Sequence, residues 1–198
     1  LLFITTETKI VKKIISICIF CWMVSSCSTE KKEIINLSNN YTAIVEIPAG
    51  TNKKFEYNYS TKTFEIETKN GVERTINYLP YPGNYGFISN TYMDPEIGGD
   101  GDALDVLIIS ESIQQGKKIE IYPVAILKLL DLGQEDHKVI ATLKNSKMNF
   151  SKDSLPNSVK TIIKTWFCNY KGPNMMEFIA WGDKKDAINE IEKWAVNK

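Results

Sequence analysis

The residues of this chain best suited to chemistry are five aspartates in two short segments: Asp100, Asp102 and Asp105, then Asp131 and Asp136. Carboxylates gathered this closely repel one another. They stay ionised only where cations neutralise them, and otherwise some of their pKa values rise. Gly98, Gly99 and Gly101 surround the first set and let the backbone turn tightly and approach a ligand closely. The apolar run Val106-Leu-Ile-Ile109 follows at once, which sets the carboxylates at the mouth of a buried strand. Oxygen ligands without Cys or His suit Mg²⁺, Mn²⁺ or Ca²⁺. Taken alone, the first three aspartates also read as a solvated acidic loop. An EF-hand fails on detail. Counting from Asp100, Glu111 falls at position twelve, but Leu104 takes position five, Asp105 displaces the glycine of position six, and the flanks read as strand.

The elements that must position these groups are mostly strands. Thr42–Ile47 is a strand candidate. Phe55, Tyr57 and Tyr59 alternate with polar residues, as do Phe64 and Ile66 after Ser60-Thr61-Lys62, which predicts a hairpin. Arg74–Leu79, Tyr85–Ile88, Asp105–Ser110 and Lys118–Asp131 supply further strands, punctuated by Pro80, Pro82, Gly83, Gly98 and Gly99. After Pro156 the period changes. Val159, Ile162, Ile163, Trp166, Phe167 and Tyr170 follow the helical repeat. Glu177–Trp181 reads as a last strand. Asp183 caps a second helix with Ala187, Ile188, Ile191, Trp194 and Ala195 on one side. Strands followed by helices predict an α+β fold, mainly β: a small closed β-barrel, OB-like, with flanking strands and two C-terminal helices packed outside.

Composition narrows the function. At 198 residues and 43% hydrophobic, the chain suits one domain with a short extension. Its 24 basic residues equal its 24 acidic ones, which argues against a nucleic-acid binder working through a large positive field. One histidine and four cysteines are too few for a Cys/His zinc site beside other roles. Cys18 and Cys21 lie within an apolar run and Cys168 stands alone in the later chain, so no internal disulfide is expected.

Residues 1–26 read as a signal peptide. Lys9, Lys12 and Lys13 precede the apolar run Ile14–Val24, which is too short to span a bilayer, and Val24-Ser25-Ser26-Cys27 resembles a bacterial lipobox. Residues 27–39 read as a polar tether and residues 40–198 as the folded domain. On this reading the protein is a bacterial membrane-anchored lipoprotein held by a lipid on Cys27, on the periplasmic or outer-membrane side. The alternative location is cytoplasmic.

The acidic motif resembles the signature of family I soluble inorganic pyrophosphatases, Asp-x-Asp-Pro-x-Asp followed by apolar residues. Other segments resemble that family in order: Glu46-Ile-Pro48, Lys54-Phe-Glu56, Arg74 ahead of Tyr81-Pro-Gly-Asn-Tyr-Gly86, Asp131 to Lys138, and Tyr170-Lys171. The likeness spans roughly residues 41 to 196. Ala103 stands where the family has proline, and the Asp94–Gly99 loop is longer than the compact bacterial form. His137 stands where the family often has a small residue, and it is expected to face solvent. The resemblance implies Mg²⁺-dependent hydrolysis of pyrophosphate using several ions, with Mn²⁺ a substitute, by a homo-oligomeric enzyme. It implies that Asp100, Asp105 and Asp136 hold the first metal and that Asp105 also contacts a second. Asp131 and Asp136 face a third, Glu46 helps a fourth, and Asp102 is the general base. It further implies that Lys54, Arg74, Lys171, Tyr85 and Tyr170 bind phosphate oxygens, with Lys138 and Tyr81 in support. Two other functions compete: a nucleotide phosphohydrolase, and a phosphate- or metal-binding lipoprotein without turnover. Against the first, the chain has neither Gly-x-x-x-x-Gly-Lys-Ser/Thr nor Gly-x-Gly-x-x-Gly.

Overall fold

The structure is a computed structural model that describes residues 40–148 and 154–196. The signal-peptide, lipobox and tether readings fall on residues 1–39 and lie outside the described residues. The strands are β1 (Tyr41–Ile47), β2 (Phe55–Asn58), β3 (Thr63–Ile66), β4 (Thr68–Lys69), β5 (Val72–Glu73), β6 (Asn84–Ile88), β7 (Asp105–Ile109), β8 (Lys118–Asp131), β9 (Gln134–Glu135), β10 (Lys138–Leu143) and β11 (Met176–Gly182). The helices are α1 (Asn157–Asn169) and α2 (Lys184–Lys193).

The main sheet runs β1-β6-β7-β10-β8, and β1 pairs with β8 again, so these strands close into the expected barrel. All its pairings are antiparallel except β7 with β10. The long β8 serves two purposes. Its first half pairs with β1 and β10, and its second half carries β11 outside the barrel. Closure leaves the barrel strands with few free edges.

Alternation along each strand builds the core on two faces. Val106 and Ile108 join Ala43, Val45, Val139 and Ala141 in one cluster, which Ala187, Ile191 and Trp194 of the α2 region cover. Leu107 faces the other way, with Ile47, Leu127, Leu129 and Ile140, and is covered by Ile163, Trp166 and Phe167 of α1. Each fully buried Leu, Ile or Val contributes about 1.5–3 kcal/mol. The second helix begins as its sequence requires: Asp183 accepts from the Asp186 backbone N–H, and Asp186 returns the bond to the Asp183 N–H. Gly86 is fixed by packing, because a Cβ there would sit 2.0 Å from the Ile44 carbonyl oxygen across the β1–β6 pair.

One expectation changes. Arg74–Leu79 alternates like a strand, but only Thr75 makes an isolated bridge, to Lys53. Pro80 and Pro82 remove ladder donors just beyond it, and the Leu79 carbonyl is taken by Trp166 Nε1 at 2.8 Å. The expected hairpin of Phe55 to Ile66 does form, and a second, tighter one follows it across Asn70-Gly71.

Candidate active site

The first aspartate segment lies on the turn that feeds β7. Asp100 Oδ1 accepts from the Asp102 backbone N–H at 2.9 Å, and Gly101 holds φ 88°, a conformation that favours glycine. Asp105 opens β7. Its register neighbour on β6 is Phe87, which places Tyr85 on the same face two residues along. Tyr85 Oη donates to Asp105 Oδ2 at 2.6 Å. The second segment straddles the β8–β9–β10 turn, so Asp136 comes alongside Asp105. The Lys138 ammonium, its side chain only 3% exposed, bridges the two carboxylates.

Glu46, on β1, completes the wall by accepting from the Tyr57 backbone N–H at 2.9 Å. Together, Glu46, Lys54, Tyr85, Asp100, Asp102 and Asp105 line one cavity of about 240 Å³. Glu56 also lines it and was not among the residues singled out for a role, although it lies within the Lys54-Phe-Glu56 segment. Lys54 Nζ reaches Glu56 at 2.5 Å and Glu67 at 2.6 Å. Glu67 in turn accepts from Arg74 Nη1 at 2.9 and 2.8 Å. Glu67 was missed because its partners became visible only once the second hairpin folded it back onto Arg74.

Helix α1 delivers the remaining groups. Tyr170 caps its C-terminus and stacks on Trp166 at 4.6 Å and 9°. Lys171 follows and pairs with Asp131, the last residue of β8. The predicted site residues thus form several linked groups: Lys54 with Arg74 through Glu67, Asp105 with Tyr85 and, through Lys138, with Asp136, and Asp131 with Lys171. Arg74, Tyr170 and Lys171 stand on a second cavity beside the first. His137 departs from expectation: its side chain is 12% exposed and lies against Glu190, with Nδ1 3.6 Å from Oε1.

The electrostatics are those of crowded carboxylates. Burial, reinforced by the Asp105 charge, pushes the Glu46 pKa up to about 8 despite the Tyr57 N–H and Lys54. Burial and the charges of Asp100 and Asp105 raise Asp102. Asp105 is raised mainly by burial, against the pull of Lys138. Asp136 is also penalised by burial, but Lys138 and Lys171 outweigh this and hold it below the usual range. Burial raises the Tyr85 and Tyr170 hydroxyls, so both remain donors at neutral pH. Among the described residues no three carboxylates converge as a ready-made cage, since ammonium groups stand between them. The donor set nevertheless fits hard cations. It is all oxygen, burial and neighbouring carboxylates raise Glu46, Asp102 and Asp105, and buried Asp131 Oδ1 has no hydrogen-bond partner.

Comparison with known proteins decides the family, because an inorganic pyrophosphatase family model matches residues 43–197. The chain belongs to the family I inorganic pyrophosphatases. It is 32% identical over 167 residues to the inorganic pyrophosphatase of Sulfolobus acidocaldarius, covering 79% of this chain and 90% of that one. It is 32% identical over 173 residues to that of Campylobacter jejuni, covering 82% and 94%. Among solved structures, the N-terminally truncated Trypanosoma cruzi vacuolar soluble pyrophosphatase in complex with PPi superposes with a TM-score of 0.72. Its identity is 25%, covering 83% of this chain and 71% of that one. The Thermus thermophilus enzyme gives a TM-score of 0.66 at 26% identity, covering 76% and 86%. This pyrophosphatase is thus an inorganic diphosphatase, hydrolysing pyrophosphate to two phosphates.

Proposed function

We propose that this pyrophosphatase works with Mg²⁺ held by Asp100, Asp105, Asp131, Asp136 and Glu46, and with Asp102 as general base. Mn²⁺ is the expected substitute. The bound ions would neutralise the substrate's charge and make an attacking water more acidic. The chain's own residues do the rest. Asp102 accepts a proton from that water, and its raised pKa brings its basicity closer to the working pH. Lys54, Arg74 and Lys171 bind phosphate oxygens, with Arg74 offering a planar fork. Tyr85 and Tyr170 donate from their hydroxyls, and Lys138 keeps Asp105 and Asp136 oriented. The observation that carries this reading is the cavity in which Asp100, Asp102, Asp105 and Glu46 face Lys54 and Tyr85. Phosphate release from pyrophosphate should require added Mg²⁺ after exhaustive chelation. Full activity in the chelated enzyme would overturn the metal reading.

Residues 1–26 as a signal peptide, 27–39 as a tether and 40–198 as the catalytic domain belong to the same proposal, as does anchoring by a lipid on Cys27. Homo-oligomer formation does too. The order of basic residues, apolar run and Ser-Ser-Cys supports the anchor.

A further inference from the structure

Asp136 and His137 form the joint between β9 and β10 and belong to neither strand. The Asp136 backbone N–H ties this joint to the Leu129 carbonyl of β8 at 3.0 Å. Successive side chains leave an extended chain on opposite sides. Asp136 turns to Lys138 and the site, and His137 turns away from it, to the last helix. His137 has no part in the reading of the site given above.

The carboxylate that His137 meets is fixed from behind. Glu190, in the last turn of α2, accepts from Trp194 Nε1 at 2.8 Å. The Trp194 side chain is fully buried and packs with Val106, Ile108, Val139 and Ala141 of β7 and β10. Burial penalises the Glu190 carboxylate, but the His137 and Trp194 contacts outweigh this and hold it below its usual range. The imidazole Nδ1 stands 3.6 Å from the same Glu190 oxygen and is buried with no hydrogen-bond partner. Leaving a buried donor unpaired is costly, so the joint is drawn toward α2. Nδ1 carries a proton in the imidazolium and in one neutral tautomer, so the contact does not need a single charge state. On the other side of Asp136, Glu135 stands 4.0 Å from Lys193, but both are exposed and such a pair adds little.

We infer that His137 and Glu190 are positioning residues: their contact straps the Asp136 joint to the last helix and so sets how tightly the site takes Mg²⁺. This rests on the reading above that Asp136 is a metal ligand. Neither residue touches the substrate. Without the strap, the joint must be ordered each time an ion binds, and that ordering is taken out of the affinity. Residues that orient a ligand from behind act on metal affinity in this way. Once the ion is bound, Asp136 stands where it does in wild type, so the rate of the loaded enzyme is kept.

The test is Mg²⁺ binding to the full chain by isothermal titration calorimetry, with kcat on pyrophosphate at saturating Mg²⁺ measured beside it. The variants are His137→Ala, His137→Asn, Glu190→Ala and the double alanine. His137→Ala should raise the Mg²⁺ concentration at half-saturation by about tenfold, and by less than about twofold once Glu190 is already alanine. His137→Asn keeps an N–H donor and should recover most of the loss. In the His137 variants kcat at saturating Mg²⁺ should stay within about twofold of wild type. Unchanged affinity in His137→Ala would overturn the strap. So would an equal loss with and without Glu190, or His137→Asn no better than His137→Ala. If Glu190→Ala does not fold, the comparison of the two His137 variants decides alone. Wild-type enzyme that binds no Mg²⁺ and turns over pyrophosphate without it would overturn the parent reading, and the strap with it.

Discussion

Removing the Lys138 charge should expose how the site is held together. The ammonium is buried, with 3% of its side chain exposed, and it bridges Asp105 and Asp136. In Lys138→Met the stem is kept and the charge is lost, which leaves two buried carboxylates facing one another. Breaking a buried ion pair from one side costs about 3–5 kcal/mol. At about 2–4 °C per kcal/mol for a chain of this size, Tm should fall by roughly 6–20 °C. The loss should depend on conditions in two ways. Protonating both carboxylates removes the repulsion, so variant and wild type should converge in acid. Millimolar Mg²⁺ supplies the missing positive charge, so it should restore more stability to the variant than to wild type. Thermal unfolding followed by circular dichroism, with chelator and with Mg²⁺, measures both effects. A loss below about 1 kcal/mol in chelator, or no preferential rescue by Mg²⁺, would refute the view that Lys138 holds these carboxylates together in place of metal.

Other outcomes follow from the same geometry. Because the Glu46 pKa is raised in the fold to about 8 from an ordinary 4.5, its contribution to stability is full below about 4.5 and is lost as pH rises through about 8. Glu46→Gln should therefore flatten the decline of metal-free stability between those values, read by urea unfolding at stepped pH, while weakening Mg²⁺ activation. Asp183→Ala removes one half of the capping box on α2, far from the chemistry. It should cost about 1 kcal/mol in unfolding experiments and leave kcat unchanged.

Much of the barrel was legible because its strands carry clean signals. Lys118–Asp131 carries the apolar run Ile121–Leu127, with Val124 and Ile126 β-branched within it, and is found with those same bounds, and α1 begins directly after Pro156 as its period requires. Lys138–Leu143 was passed over, although Val139, Ile140 and Ala141 are fully buried, because the acidic residues just before it drew the reading toward a ligand loop. Its parallel pairing with β7 joins segments far apart in sequence, a relation no local period reports. The site was legible through its residue types. What the spacing could not give was the internal pairing: Lys138 lying between Asp105 and Asp136, Glu67 shared by Lys54 and Arg74, and Lys171 on Asp131. These are tertiary juxtapositions. The same limit applies to His137, whose neighbour Glu190 comes from the last helix and leaves it packed instead of solvated.

The most direct test of the account is Asp102→Asn. The substitution keeps the shape of a half-exposed side chain and removes only its ability to take a proton, so the circular dichroism spectrum and unfolding midpoint should match wild type. Steady-state phosphate release from pyrophosphate at saturating Mg²⁺ should fall by about 10²–10⁴-fold in kcat, the usual contribution of a positioned general base. A folded variant turning over at the wild-type rate would contradict the assignment of Asp102.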